Sequence, residues 1–352
     1  MDRDIYLKWA ASDLRMPIGT HLVLHEHKEP EAILKEGRRL GGVVEETARR
    51  FRTPLAVPLM DLTLEKSALL AMHGIGELEA EAFHFQEPPA EKKRTALTPR
   101  MNATCEGVQY IARETKLIPV GMSIGPFSLT TKLISDPITP VFLAGAGATA
   151  GEEPEVRLLE GMLAMSAEII LHYLKAQIAA GAKAIIICEP AANKVYFSPN
   201  QLARNYDIFD RLVMEPNRRI KELLSASGVD LIFHNCGELL DGMVSRFSTL
   251  DPAILSLGSS RKLWEDAALV PKTTVLYGNL PTKKFYSDAL ISLEDVKRLS
   301  AELTQRMRAL GHPFILGSEC DVLSVPGHER TIMEKVDAFM GDHSTRVNNA
   351  GE

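Results

Sequence analysis

His234 and Cys236 in LIFHNCGEL, and Cys320 in FILGSECDVL, are the residues whose types best suit a metal ion. Each ends a short apolar run that reads as a buried strand stopping at a glycine-containing loop. In a parallel barrel, three such side chains converge on one rim. Imidazole nitrogen and thiolate sulfur suit zinc, a borderline-soft divalent ion that takes them tetrahedrally. Structural zinc closes its shell with four protein ligands, whereas catalytic zinc holds three and leaves the fourth place to water or substrate. Three ligands therefore point to a site with an open position. The competing reading is a satisfied core histidine beside ordinary buried thiols. It has weight because Cys236 and Cys320 stand 84 positions apart, and only strand placement joins them. Cys105 and Cys188 read as structural.

Other residues at the expected rim are candidates for supporting roles. Glu189 closes the run AIIICE and is a candidate fourth ligand that substrate displaces, or an acceptor that holds His234. Its alternative is a surface carboxylate facing a helix. Tyr277 and Asn279 in LYGNLP are candidates for hydrogen bonds to a substrate head group, although Asn ahead of an apolar residue and Pro also builds turns. Asp61 in MDLTLE either orients substrate or caps the next helix. His21, His25 and His27 in THLVLHEHK alternate, so a strand would set all three on one face; a second metal site there is weakly founded, and His25 is assigned with Tyr196 as a substrate contact. Glu238 lies beyond a glycine, and Glu319 should point away from Cys320, so neither is assigned. GAGATA at 145–150 loosely matches a dinucleotide loop. Glu152 and Glu153 would repel a phosphate from the following helix, so it reads as a rim loop.

The elements that must position these residues follow from the apolar pattern. The chain has 352 residues, is 45% hydrophobic and carries a net charge of −6. It can bury a large core. Scattered Lys and Arg residues leave no electrostatic footprint for nucleic acid. The opening MDRDIYLKWAASDL resembles neither a secretory signal nor a transit peptide, no apolar run reaches the ~18 residues of a spanning helix, and four cysteines suit a reduced cytoplasm.

Eight apolar runs, at 20–26, 55–61, 117–125, 184–189, 231–236, 253–258, 274–280 and 314–320, alternate with helical stretches. That is the pattern of parallel strands covered by helices. Helices are expected over 155–180, 200–225 and 293–310, with Pro199 at a helix start. The stretch from Leu64 to Lys116 is too long for one crossover and reads as helices flanking a barrel. The expected architecture is one α/β domain over residues 1–352, a (β/α)8 TIM barrel with an N-terminal helical elaboration. Its chemistry belongs at the C-terminal ends of the strands.

Four fragments together resemble the uroporphyrinogen decarboxylase superfamily over most of the chain: GPFSL at 125–129, SP at 198–199, GNLP at 278–281 and GSECDVLSVPGHERTIMEKVDAF at 317–339. Asp61 and Glu65 match that family's D-x-T-x-E stretch. The arginine-rich signature of the decarboxylases proper is replaced by MPIGTHLVLHEH. The His-x-Cys…Cys set is similar to the zinc methyltransferase branch, which includes methylcobamide:coenzyme M methyltransferases and methyltransferase components of aryl methyl ether O-demethylases. The resemblance implies zinc on His234, Cys236 and Cys320. It also implies a cobalamin cofactor and, since no DxHxxG corrinoid motif is present, a separate corrinoid protein to carry it. Homodimerisation is a further expectation of the family. Between the branches the reading leans to ether demethylation, because Lys194, Arg261, Lys262, Lys283 and Lys284 suggest no convergent anion site for coenzyme M. A decarboxylase and a non-catalytic metal-binding barrel are the alternatives.

Overall fold

Short β-branched and aliphatic runs bounded by turn residues pair side by side when helices cover their outer faces. In this chain they form one parallel sheet of eight strands: β1 Arg15–Ile18, β2 Leu55–Ala56, β3 Ile118–Ile124, β4 Ala184–Cys188, β5 Asp230–Asn235, β6 Ile254–Leu257, β7 Val275–Leu280 and β8 Phe314–Asp321. The computed structural model describes residues 3–90 and 97–341, so part of the 64–116 stretch, at 91–96, and the two chain ends lie outside the described residues. The strand order is β1-β8-β7-β6-β5-β4-β3-β2. This is the (β/α)8 barrel architecture, with β1 returned beside β8. Among the described residues no ladder joins β1 to β2. Side chains bridge that seam instead: Thr20 Oγ1 donates to Val57 O at 2.6 Å, and Asp321 on β8 accepts from Met60 N at 3.2 Å.

Alternate strand residues fill the interior. Met16, Val120, Met122, Ala184, Ile186, Cys188, Ile232, Ile254, Val275, Tyr277 and Ile315 form one buried cluster, and the larger cluster lies between sheet and helices. The helix Asp4–Ala11 closes the N-terminal end of the barrel. Its Tyr6 is buried against the interior cluster and bonds Asp230 Oδ2 at 3.0 Å, while Arg3 donates to Pro252 O and Thr273 O just ahead of β6 and β7. With that end plugged, the opposite rim is the one left for chemistry.

The helix Pro154–Ala179 begins with Pro, where the missing donor costs nothing. Its Gln177 reaches the sheet and satisfies both the N–H and the C=O of Met122 on β3, at 2.8 and 2.9 Å. The helix Leu293–Leu310 carries a Ser292–Asp295 capping box and ends on Gly311 in the left-handed region, φ 59°. Both match the expected spans.

Two expectations need correction. The run THLVLHE is not the first strand: RMPI supplies β1, and Thr20–Leu24 is a short helix. The run buries Thr20, Leu22, Val23 and Leu24, and so continuous a buried stretch fits either period. His21 and His25 therefore stand one helical turn apart, rings stacked at 4.1 Å, and the alternation that would have aligned three histidines does not apply. The expected helix 200–225 is broken into Pro199–Leu202, Asp207–Phe209, a π turn over Asp210–Met214 and Glu215–Ala226. Pro216 has no N–H to offer the preceding turn, and a local widening accommodates that loss.

Candidate metal centre

β5 and β8 end on the same rim, and His234 near the end of β5, Cys236 just past it and Cys320 near the end of β8 come together there. One ligand atom from each lies within 4.8 Å of the others. No other His, Cys, Asp or Glu joins this cluster among the described residues.

The histidine is oriented by its neighbour on the sheet. His234 pairs in register with Ser256 of β6, so the two side chains share a face. Nδ1 lies 2.8 Å from Ser256 Oγ. Nε2 is buried and has no hydrogen-bond partner. A buried polar nitrogen without a partner is rare in folded proteins and calls for an explanation, and the two sulfurs beside it supply one. The turn between the ligands is fixed by Asn235. Its amide donates to Glu189 O at 2.6 Å and Ala192 O at 3.0 Å, and its oxygen accepts from Gly237 N at 2.8 Å. Gly258 lets the loop after β6 pass close by, since a Cβ there would sit 2.8 Å from Cys236 Cα.

The two thiols are electrostatically unequal. A hydrogen bond with Cys320, followed by the influence of His234 and Lys283, holds Cys236 far below the ordinary thiol range, as a thiolate. Cys320, the donor in that bond and largely buried, is pushed up. Lys283 Nζ stands 3.6 Å from Cys236 Sγ. Lys283 sits in the short 3-10 turn Thr282–Lys284 after β7. That loop is anchored from beneath by the buried Lys335, which donates to Phe285 O and pairs with Asp288, each at 2.8 Å.

Glu189 is fully buried, but its carboxylate faces the helix Pro126–Leu133: it accepts from Ser128 N at 2.5 Å and Asn217 Nδ2 at 3.0 Å. Gly125 makes room, because a Cβ there would sit 2.1 Å from Oε2. Burial raises its carboxyl above the usual range. Its backbone N–H donates to His234 O at 2.9 Å, so Glu189 braces β5 through the main chain rather than joining the His-Cys-Cys cluster. GPFSL is thus the cradle of that carboxylate. The Tyr277 hydroxyl lies inside the barrel, donating to Met16 O at 2.7 Å with Ser318 Oγ 3.2 Å away, and is engaged there rather than offered at the rim. Asn279 donates to Gly258 O at 2.7 Å and Arg261 O at 2.8 Å, clamping the loop after β6.

Asp61 accepts from Thr63 N at 3.0 Å and pairs with Arg100, at the start of the helix Leu64–Met72. His25 is exposed, its Nδ1 2.8 Å from His21 O. The Tyr196 ring meets Phe127 edge-on at 5.9 Å. Glu319, left unassigned from sequence, accepts from Ser259 N at 3.1 Å and Ser259 Oγ at 2.5 Å, and from Lys283 N at 3.4 Å. Ser256, Asn235 and Lys283 were not assigned roles from sequence. A polar residue inside an otherwise apolar strand run was the available signal for the first two; Lys283 offered none beyond its place in a rim loop. GAGATA ends the helix Ile138–Gly145 and turns back, with Thr149 bonded to Glu152.

A (β/α)8 barrel with a His-Cys-Cys cluster at its C-terminal rim is a recognisable class of protein. The model of the uroporphyrinogen decarboxylase (URO-D) family matches residues 64–340, well over half of the chain, and the protein belongs to that family. Among solved structures, a methyltransferase from Methanosarcina mazei is similar, with a TM-score of 0.63 and 14% identity over 93% of this chain and 91% of that one. At that identity the likeness concerns the fold. No curated protein matches significantly. No helix among the described residues is long and apolar enough to cross a membrane.

Proposed function

We propose that this protein is a zinc-dependent methyltransferase that moves a methyl group between a small substrate and the cobalamin of a separate corrinoid protein. The favoured substrate is an aryl methyl ether, with O-demethylation as the reaction. The observation that carries the reading is the partnerless, buried His234 Nε2, held by Ser256 on its other nitrogen and gathered with two cysteine sulfurs. This donor set fits zinc: one imidazole nitrogen and two thiolates, with no fourth protein ligand in the cluster among the described residues. His234, Cys236 and Cys320 would hold the ion. Bound there, zinc supplies a Lewis acid that stabilises negative charge on a substrate oxygen or sulfur.

The protein's own residues do the rest. Ser256 fixes the imidazole so that Nε2 faces the sulfurs. Asn235 and Glu189 hold the ligand-bearing turn rigid, which keeps the donor atoms placed before substrate arrives. Substrate enters from the rim, because Asp4–Ala11 closes the other end. In the demethylation direction the bond between the ether oxygen and methyl breaks, methyl passes to the partner's corrinoid and a phenolate remains. The likeness in fold to a methyltransferase supports methyl transfer as the class of reaction, in either direction. Decarboxylation of a many-carboxylate tetrapyrrole is disfavoured by the arginines near the mouth: Arg100 is paired with Asp61, and Arg261 with Asp241 and Asp266.

Zinc-edge X-ray absorption on the purified protein, alone and with a thiol or a methoxyphenol, tests the reading. Stoichiometric zinc with two sulfurs, one imidazole and oxygen is expected. A change confined to the oxygen shell on adding the methoxyphenol supports demethylation, and a third sulfur on adding thiol supports a methylcorrinoid:thiol reaction. Absence of stoichiometric metal overturns both.

A further inference from the structure

The cations near the mouth are not equivalent. Lys194 pairs with Glu238 at 2.5 Å, Lys262 with Glu265 at 3.1 Å, and Arg261 is shared by two aspartates. Lys283 has no carboxylate within ion-pair distance among the described residues; its ammonium stands instead 3.6 Å from Cys236 Sγ. Glu319, which packs against this loop, is held by Ser259 and by the backbone N–H of Lys283 itself, and Asp288 is paired with Lys335. The loop is kept there by Lys335, so the ammonium is carried on an anchored turn.

Charge counting gives this placement a consequence. A divalent ion with two thiolates and a neutral imidazole is formally uncharged. An adjacent ammonium makes the open side positive by one unit, and at a few ångströms that favours a ligand whose donor atom is negative. We infer that Lys283 makes the open side of the Cys236–Cys320 pair an anion-selective position, serving substrates that bind or leave as a thiolate or phenolate. The inference deepens the methyl-transfer reading of the same site and rests on it for the identity of the anion. Lys283 is a positioning residue for that charge; Lys194, Lys262 and Arg261, each paired with an acid, do not supply it.

Two measurements on the full-length chain test it. The first compares alkylation of Cys236 by iodoacetate and by iodoacetamide after zinc is removed, followed by mass spectrometry. The ratio of the two rates cancels the thiolate fraction, so it reports attraction of the anionic reagent alone. Lys283→Met is expected to lower the iodoacetate to iodoacetamide ratio about five-fold, and Lys283→Arg to leave it within about two-fold. An unchanged ratio in Lys283→Met overturns the inference, as does an equal fall in Lys283→Arg, which would mark a structural role.

The second titrates zinc-loaded protein with 2-mercaptoethanol and, separately, with phenol. Lys283→Met should weaken whichever of them binds while zinc content stays stoichiometric; binding of only one identifies the source of the anion. If the wild-type protein binds neither, the thiolate and phenolate assignment falls together with the methyl-transfer reading. If it binds one and Lys283→Met binds it equally well, the Lys283 inference alone is overturned.

Discussion

His234 and Ser256 face each other across adjacent parallel strands, with Nδ1 and Oγ 2.8 Å apart, and this contact decides which imidazole nitrogen is left for a metal. A hydrogen bond on the far nitrogen fixes ring orientation and raises ligand basicity, and its loss typically costs 10–100-fold in metal affinity. Ser256→Ala is therefore expected to weaken zinc binding by about 10–100-fold, read by competition with a chromophoric chelator. Unchanged affinity would remove Ser256 from the site.

Cys188 provides the control for the ligand assignment. It is in register with His234, it is buried, and burial pushes its thiol well up. Cys236→Ser and Cys320→Ser should each abolish stoichiometric zinc, whereas Cys188→Ala should retain it at a stability cost of about 1 kcal/mol. Metal analysis of the three purified variants settles the assignment; zinc lost equally from all three would mean that the fold, not the ligand set, had failed.

The contrast between the ligands and their supports shows what one sequence makes readable. Seven of the eight strands lay where apolar runs ended in turn residues, and the three candidate ligands could be proposed because few residue types bind zinc. β1 was hidden because RMPI is four residues long and contains a proline, while the neighbouring THLVL is buried almost throughout and so shows no single period. The roles of Glu189 and Tyr277 could not be read because both turn on which neighbour a side chain meets. Glu189 points to Ser128 because Gly125 has no Cβ, and Tyr277 reaches over Gly317 of the intervening strand β8 to Met16 of β1. The importance of Ser256 follows only from β5–β6 register, and that of Lys283 from a loop conformation.

Tyr277 can be tested directly as a brace of the barrel. Its hydroxyl donates to Met16 O and receives Ser318 N at 3.3 Å. Tyr277→Phe leaves those groups short of a partner inside the barrel, an effect of about 1–3 kcal/mol on stability. Zinc affinity should remain within about two-fold, since the hydroxyl is engaged away from the ligand cluster. Urea denaturation and chelator competition on the same preparation check both parts. A variant as stable as wild type but inactive would return Tyr277 to the chemistry.

Lys335 anchors the loop that carries Lys283, although it lies on the distant helix Glu329–Met340. Its buried ammonium reaches Phe285 O and Asp288. Lys335→Met removes the donor and leaves a buried carbonyl unpaired, for about 1–3 kcal/mol. Amide hydrogen exchange should accelerate selectively over 281–288, with β5 and β8 unaffected. Uniform acceleration across the protein would instead mean that the substitution lowers global stability alone.

Glu65 makes stability depend on pH. It is buried, with Oε1 accepting from Ser123 Oγ at 2.6 Å while Oε2 has no partner, and burial is the main cause that raises its carboxyl from 4.5 to about 7. A carboxyl whose folded value lies above its unfolded value binds its proton more tightly in the folded state. Its contribution is fully present below about pH 4.5, is lost as the pH rises through 7, and is constant beyond. The shift corresponds to roughly 3 kcal/mol. Glu65→Gln keeps the shape and removes the ionisation. Its stability should match wild type within about 1 kcal/mol at pH 4.5 and exceed it by up to roughly 3 kcal/mol at pH 8. Asp321, raised to about 7 by burial, and His21, lowered to about 4, also titrate in the wild type. Taking the difference between the two proteins removes both, because neither residue is altered. Denaturation in urea from pH 4.5 to pH 8 measures that difference, and a difference that stayed constant across the range would show that the Glu65 carboxyl titrates alike in the folded and unfolded chain.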